Sequence, residues 1–76
     1  MTLAPVYDAF TGKRIELGDE LRSIERGDVL RVVELGSDLC GEPTVRLDPV
    51  RSSAQPFKAA LDRVGGRWYI HMYALA

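Results

Sequence analysis

The sequence predicts an all-β fold: a small antiparallel β-barrel of about five to six short strands, forming one domain over residues 1–76. Three observations lead to this prediction. Apolar residues alternate with polar ones in several short runs, which is typical of half-buried strands. Glycine-containing turns separate these runs. A chain of 76 residues has room for only one hydrophobic core.

The first half of the chain is predicted to contain four extended segments, one of which is the strand that begins near Glu20 and leads into the turn at Gly27. The segment 6–8 is followed by a turn at Thr11-Gly12-Lys13, because glycine adopts positive φ without steric cost. Residues 14–17 alternate polar and apolar, which predicts a half-buried strand. After a turn with Gly27 at its tip, residues 29–35 form the most strand-like run of the chain, rich in β-branched residues.

Residues 44–48 alternate cleanly and predict a further strand. Successive side chains of a strand point to opposite faces, so Val45 and Leu47 are expected inside. Pro49 is expected to end this strand, because proline cannot donate a hydrogen bond to a neighbouring strand.

Two structures are open for the segment before Gly65-Gly66. Apolar residues in 57–64 recur at helical spacing, which allows a short helix over 56–64. The same segment also alternates, and two consecutive glycines are typical of a tight β-turn. We predict a hairpin of 57–64 with 67–72 and keep the helix as the alternative.

The last strand carries most of the aromatic side chains. On an unbroken strand Trp68, Ile70 and Met72 share one face, and the intervening residues share the other. We predict that Trp68 lies in the core. Tyrosine is favoured at interfaces, so we expect an exposed patch that contacts a protein partner. The residues expected in this patch are Tyr7, Tyr69, His71 and Tyr73.

Composition argues against several other functions. The single cysteine, Cys40, and the single histidine, His71, cannot complete a metal site or a catalytic triad, so we expect no metal, no cofactor and no enzymatic activity. No apolar run is long enough to span a membrane. The net charge of −1 disfavours nucleic acid, although six arginines could gather on one side. These are Arg14, Arg22, Arg26, Arg31, Arg46 and Arg51.

Three segments resemble SH3 domains. Residues 6–10 resemble the ALYDF segment, 20–33 the segment with a Gly-Asp turn, and 68–75 the closing YIPSNYV segment. The resemblance implies an SH3-like barrel. Pro56-Phe57 stands where SH3 domains carry the tandem tryptophan of the peptide groove, which disfavours recognition of polyproline.

The chain also resembles, in overall style, small orphan proteins of actinobacteriophages. The resemblance rests on the opening pattern Tyr7-Asp8-Ala9-Phe10-Thr11-Gly12-Lys13-Arg14-Ile15-Glu16-Leu17-Gly18-Asp19. It implies a small phage or accessory protein. The single cysteine and the lack of a signal-peptide pattern lead us to expect a cytoplasmic protein, in the host cytoplasm if phage-encoded. Such a protein would act by binding a host or phage protein. A nucleic-acid-binding barrel and a self-associating assembly component are the alternatives.

Overall fold

The structure is a computed structural model that describes residues 3–76, and it confirms the all-β fold class. This part of the chain forms eight short strands in two sheets and contains no helix. The strands are β1 (Val6–Asp8), β2 (Glu20–Ser23), β3 (Val29–Ser37), β4 (Pro43–Pro49), β5 (Phe57–Lys58), β6 (Leu61–Val64), β7 (Arg67–Ile70) and β8 (Tyr73–Leu75). No helix that could cross a membrane occurs between residues 3 and 76.

The strands number more than the five or six predicted, because the chain changes sheet twice near its end. The five-stranded sheet has the order β5-β4-β3-β2-β8, and the three-stranded sheet has the order β1-β7-β6. The chain crosses from the first sheet to the second at Ala59-Ala60 and returns at His71-Met72. All neighbours are antiparallel except β1 and β7, which pair in parallel.

A single core lies between the two sheets. It is built from alternate residues of the strands, and both Val45 and Leu47 are fully buried as predicted. Ile15 is also buried, although residues 14–17 do not form the predicted strand. The Thr11–Lys13 turn folds this segment back on β1, where only a single bridge from Tyr7 to Arg14 forms. The core residues are Val6, Ile15, Leu21, Leu30, Val32, Val45, Leu47, Ala59 and Ile70.

The predicted hairpin forms, but it is shorter than expected, and the helix over 56–64 does not form. β6 and β7 pair around Gly65-Gly66, from Val64 opposite Arg67 to Leu61 opposite Ile70. Phe57-Lys58 pairs instead with β4. The segment is divided between the two sheets at Ala59. The N–H of Ala59 donates to the carbonyl of Val45 at 2.8 Å, and its side chain enters the core. Non-local pairing therefore outweighs the helical spacing of these residues.

The hairpin turn gives a direct test of this arrangement. Gly66 has φ +81°, in the region that L side chains rarely adopt. A β-branched residue is especially strained there, so Gly66→Val is expected to destabilise the fold by about 1–3 kcal/mol. Denaturant unfolding measures this loss. Gly36→Ala is the control, because Gly36 has no positive φ, although its new Cβ would lie 3.3 Å from Thr44 Oγ1. If Gly66→Val loses as little stability as the control, the turn assignment is wrong.

Candidate functional site: two grooves on either side of Met72

The outward face of the three-stranded sheet presents aromatic and charged side chains that contact one another. Tyr7, Tyr69 and Asp62 lie opposite one another across β1, β7 and β6. The rings of Tyr7 and Tyr69 have centroids 6.2 Å apart. The guanidinium of Arg67 lies 5.2 Å from the Tyr7 ring centroid, within the range of a cation–π interaction. These contacts hold both tyrosines half-buried on the sheet surface.

An apolar groove of about 480 Å³ adjoins this face, and we call it the Phe10 groove. Three large apolar side chains in it are well exposed: Phe10 at 67%, Val64 at 63% and Ile24 at 51%. They come from three separate parts of the chain, namely the loop after β1, the end of β6 and the turn after β2. The full lining is Ala9, Phe10, Ile24, Asp62, Val64, Tyr69, Ile70, His71 and Met72.

Asp8 fixes the loop that carries Phe10. Its side chain is completely buried, and its two carboxylate oxygens accept three hydrogen bonds. Oδ1 accepts from the N–H of Phe10 at 3.2 Å. Oδ2 accepts from the N–H of Thr11 at 3.2 Å and from its hydroxyl at 2.6 Å. A buried carboxylate needs such partners, and here they determine the path of the chain at Phe10.

Met72 separates the Phe10 groove from a second one. It has φ +67°, the one positive φ of a non-glycine residue among residues 3–76. Its carbonyl accepts a hydrogen bond from the N–H of Ile24 at 3.0 Å, which ties the β7–β8 connection to the turn after β2. Backbone strain of this kind persists only where surrounding contacts enforce it. The positive φ of Met72 also interrupts the alternation of side-chain directions, so the inward and outward positions of β7 do not continue in register into β8.

The second groove lies around Tyr73, and we call it the Tyr73 groove. It has a volume of about 630 Å³, and a shallower extension of about 490 Å³ adjoins it. Tyr73 packs against the core, and its ring centroid lies 6.4 Å from that of Phe57. The main groove is lined by Ser23, Arg26, Gly27, Asp28, Val29, Leu30, Pro49, Arg51, Ser52, Ala54, Phe57 and Tyr73.

His71 lies between the two grooves and lines both the Phe10 groove and the extension of the Tyr73 groove. Its Nδ1 atom is 2.7 Å from Oδ2 of Asp62, on the neighbouring strand. This contact orients the exposed imidazole along the rim. His71 and Met72 line both concave surfaces and form the boundary between them.

The four residues expected in one aromatic patch are thus distributed over two surfaces, one on each side of Met72. Tyr7 and Tyr69 form a ring pair, and Tyr69 shares the Phe10 groove with His71. Tyr73 lies on the other side, where its ring pairs with Phe57. Trp68, expected in the core, is half-buried at its edge, with the guanidinium of Arg63 lying 5.7 Å from its ring centroid.

The exposed residues of the Phe10 groove were not predicted from the sequence. Phe10, Ile24 and Val64 are far apart along the chain, and only the fold brings them together. One signal was available for Ile24. Leu21 points inward from β2, and side chains alternate between the two faces of a strand. A large apolar residue three positions later, such as Ile24, is therefore expected to point outward.

The arginines that could have formed a basic patch are largely paired. Four of the six have a carboxylate oxygen within 3.3–3.5 Å: Arg14 with Glu16, Arg26 with Asp28, Arg31 with Glu20 and Arg46 with Glu34. Within residues 3–76, no group of three or more His, Cys, Asp or Glu side chains is arranged to hold a metal ion.

Comparison of the chain with protein-family models, curated proteins and solved structures finds no match. The candidate function therefore rests on the two grooves and the residues that line them.

Proposed function

We propose that this protein is a non-catalytic protein-binding module and that the Phe10 groove is its principal contact surface. One observation carries the proposal: Phe10, Ile24 and Val64 converge on one groove while each stays more than half exposed. Single exposed apolar residues are common on soluble proteins, but a convergent apolar surface is typical of an interaction site.

The surroundings of the groove support the same function. Tyr69 and His71 give its rim amphipathic groups, and tyrosine contributes strongly to protein interfaces. The Asp8 hydrogen bonds and the Met72 carbonyl hold two of the three apolar side chains in ordered turns. A surface ordered before binding loses less conformational entropy when the partner docks.

The charge distribution favours a protein partner over nucleic acid. Phosphate backbones are bound by surplus cations, whereas most candidate arginines here lie beside carboxylates. The acidic and basic residues nearly balance, with a net charge of −1. An apolar surface with a polar rim fits the mixed composition of protein interfaces.

Affinity capture with matched variants tests the proposal. Immobilised protein is exposed to lysate of the cell that makes it, and bound proteins are identified by mass spectrometry. Phe10→Ser and Ile24→Ser are each expected to reduce capture of the same partner by roughly tenfold or more, because each removes an apolar anchor. Leu39→Ser is the control, since Leu39 is fully exposed in the β3–β4 turn, outside the groove.

Two results would oppose the proposal. One is that the Phe10→Ser and Ile24→Ser variants capture the partner as strongly as the Leu39→Ser control does. The other is concentration-dependent sedimentation of the pure protein that Phe10→Ser abolishes. The second result would assign the groove to self-association between copies of this chain, which is the assembly alternative. Circular dichroism and thermal unfolding of each variant separate lost binding from lost folding.

A further inference from the structure

The Tyr73 groove combines an apolar floor with arginines on two different turns. Leu30 is buried beneath it, and Phe57 and Tyr73 supply a paired aromatic surface. Arg26 belongs to the turn between β2 and β3, and Arg51 to the turn that follows β4. The groove therefore offers contact to an apolar group and, beside it, guanidinium donors.

The charges in the groove leave one cation in excess. Its charged lining residues are Arg26, Asp28 and Arg51. Arg26 Nε lies 3.4 Å from Asp28 Oδ2, so these two charges offset each other. Arg51 has no ion-pair partner among residues 3–76. In the adjoining extension, Glu25 and Lys58 add one charge of each sign.

We infer that the Tyr73 groove binds a peptide segment in which an aspartate or glutamate adjoins a large apolar residue. The apolar side chain packs on the aromatic floor, and the carboxylate meets the guanidinium of Arg51. Arginine suits this role because its planar fork can donate two parallel hydrogen bonds to a carboxylate. This site is separate from the Phe10 groove, so it extends the proposed function to a second surface.

A single surplus cation matches one carboxylate better than a polyanion. Nucleic-acid sites neutralise several phosphates with several cations. Here Asp28 is paired with Arg26, and Glu25 adds a second negative charge to the lining of the extension. Aromatic rings could stack on bases, but the two rings meet at 43° and do not form a flat platform. Oligonucleotide binding is accordingly the competing outcome of the test.

NMR titration with defined probes tests the inference. The first probe is a capped peptide in which one aspartate adjoins one leucine, so that its only charge is a side-chain carboxylate. The second probe replaces the aspartate with asparagine, and the third is an oligothymidylate. At millimolar concentration the aspartate peptide is expected to shift the amide signals of Arg51, Phe57 and Tyr73, and the asparagine peptide is expected to bind more weakly.

Matched charge variants complete the test. Arg51→Gln is expected to weaken binding of the aspartate peptide by roughly two- to fivefold, the scale of an exposed ion pair. Arg22→Gln removes the same charge from the exposed side of β2, outside the groove, and is expected to leave binding unchanged.

Three outcomes would overturn the inference. They are no shifts with the aspartate peptide, equal losses in both arginine variants, and tighter binding of oligothymidylate than of the peptide. The last would assign the groove to single-stranded nucleic acid. The Phe10→Ser variant, tested with the same peptide, is expected to bind normally, which distinguishes failure of this site from failure of the Phe10 groove. Unchanged spectra away from the groove show that each variant is folded.

Discussion

Replacing Leu21 with alanine is expected to lower the free energy of unfolding by about 2–5 kcal/mol. Leu21 is completely buried and lies on β2, between β3 and β8 in the five-stranded sheet. Its neighbours across the strands are Leu30 on β3 and Leu75 on β8. Alanine loses the burial of the removed carbons and leaves a cavity, because the two flanking strands restrict how far the core can collapse.

The measurement is denaturant unfolding followed by tryptophan fluorescence, since Trp68 packs against the same core. A domain of this size has a total stability near the lower end of the usual 5–15 kcal/mol, so a loss of about 5 kcal/mol would leave the Leu21 variant partly unfolded at room temperature. Leu39→Ala removes the same atoms from a fully exposed site and is expected to change stability by less than about 0.5 kcal/mol. Similar losses for both variants would contradict the assigned core.

Replacing Asp8 with alanine is expected to cost roughly 1–3 kcal/mol and also to weaken binding at the Phe10 groove. The change removes the acceptor of three hydrogen bonds, two of them from Thr11. The carboxylate is completely buried, so the hydrogen bonds it accepts are shielded from water. Without this acceptor the loop after β1 loses the contacts that fix the position of Phe10.

The matched control is Asp38→Ala. Asp38 also accepts hydrogen bonds from two backbone N–H groups, those of Cys40 and Glu42, but it does so in an exposed turn. Water can replace the lost acceptor there, so the loss of stability is expected to be smaller than at Asp8. Thermal unfolding measures both variants. A larger loss for Asp38, or an Asp8 variant with full stability, would contradict the role assigned to the buried carboxylate.

The strands that could be predicted from the sequence are those whose signal is local. Residues 29–35 are rich in β-branched residues and residues 44–48 alternate within their own span. Val45 and Leu47 lie inside, as that alternation requires. The β6–β7 turn was likewise predictable, because two consecutive glycines accept the positive φ that it needs. These features depend on neighbours a few residues away.

The features that were missed depend on distant parts of the chain. The parallel pairing of β1 with β7 joins residues about sixty positions apart, and no local pattern specifies it. The positive φ of Met72 is enforced by surrounding contacts, and methionine gives no sign of it in the sequence. The candidate site follows from both, because Met72 divides the concave surface and directs Tyr73 into a different groove from Tyr69.

Site-specific photocrosslinking tests the central claim most directly. A photoreactive phenylalanine analogue replaces Phe10 in one protein and Leu39 in another, and each is irradiated with the partner identified by capture. The two positions are both well exposed, but only the first lies in the apolar groove. The proposed function predicts a crosslinked complex from position 10 and none from position 39. A partner that crosslinks equally from both, or from position 39 alone, would contradict the Phe10 groove as the contact surface.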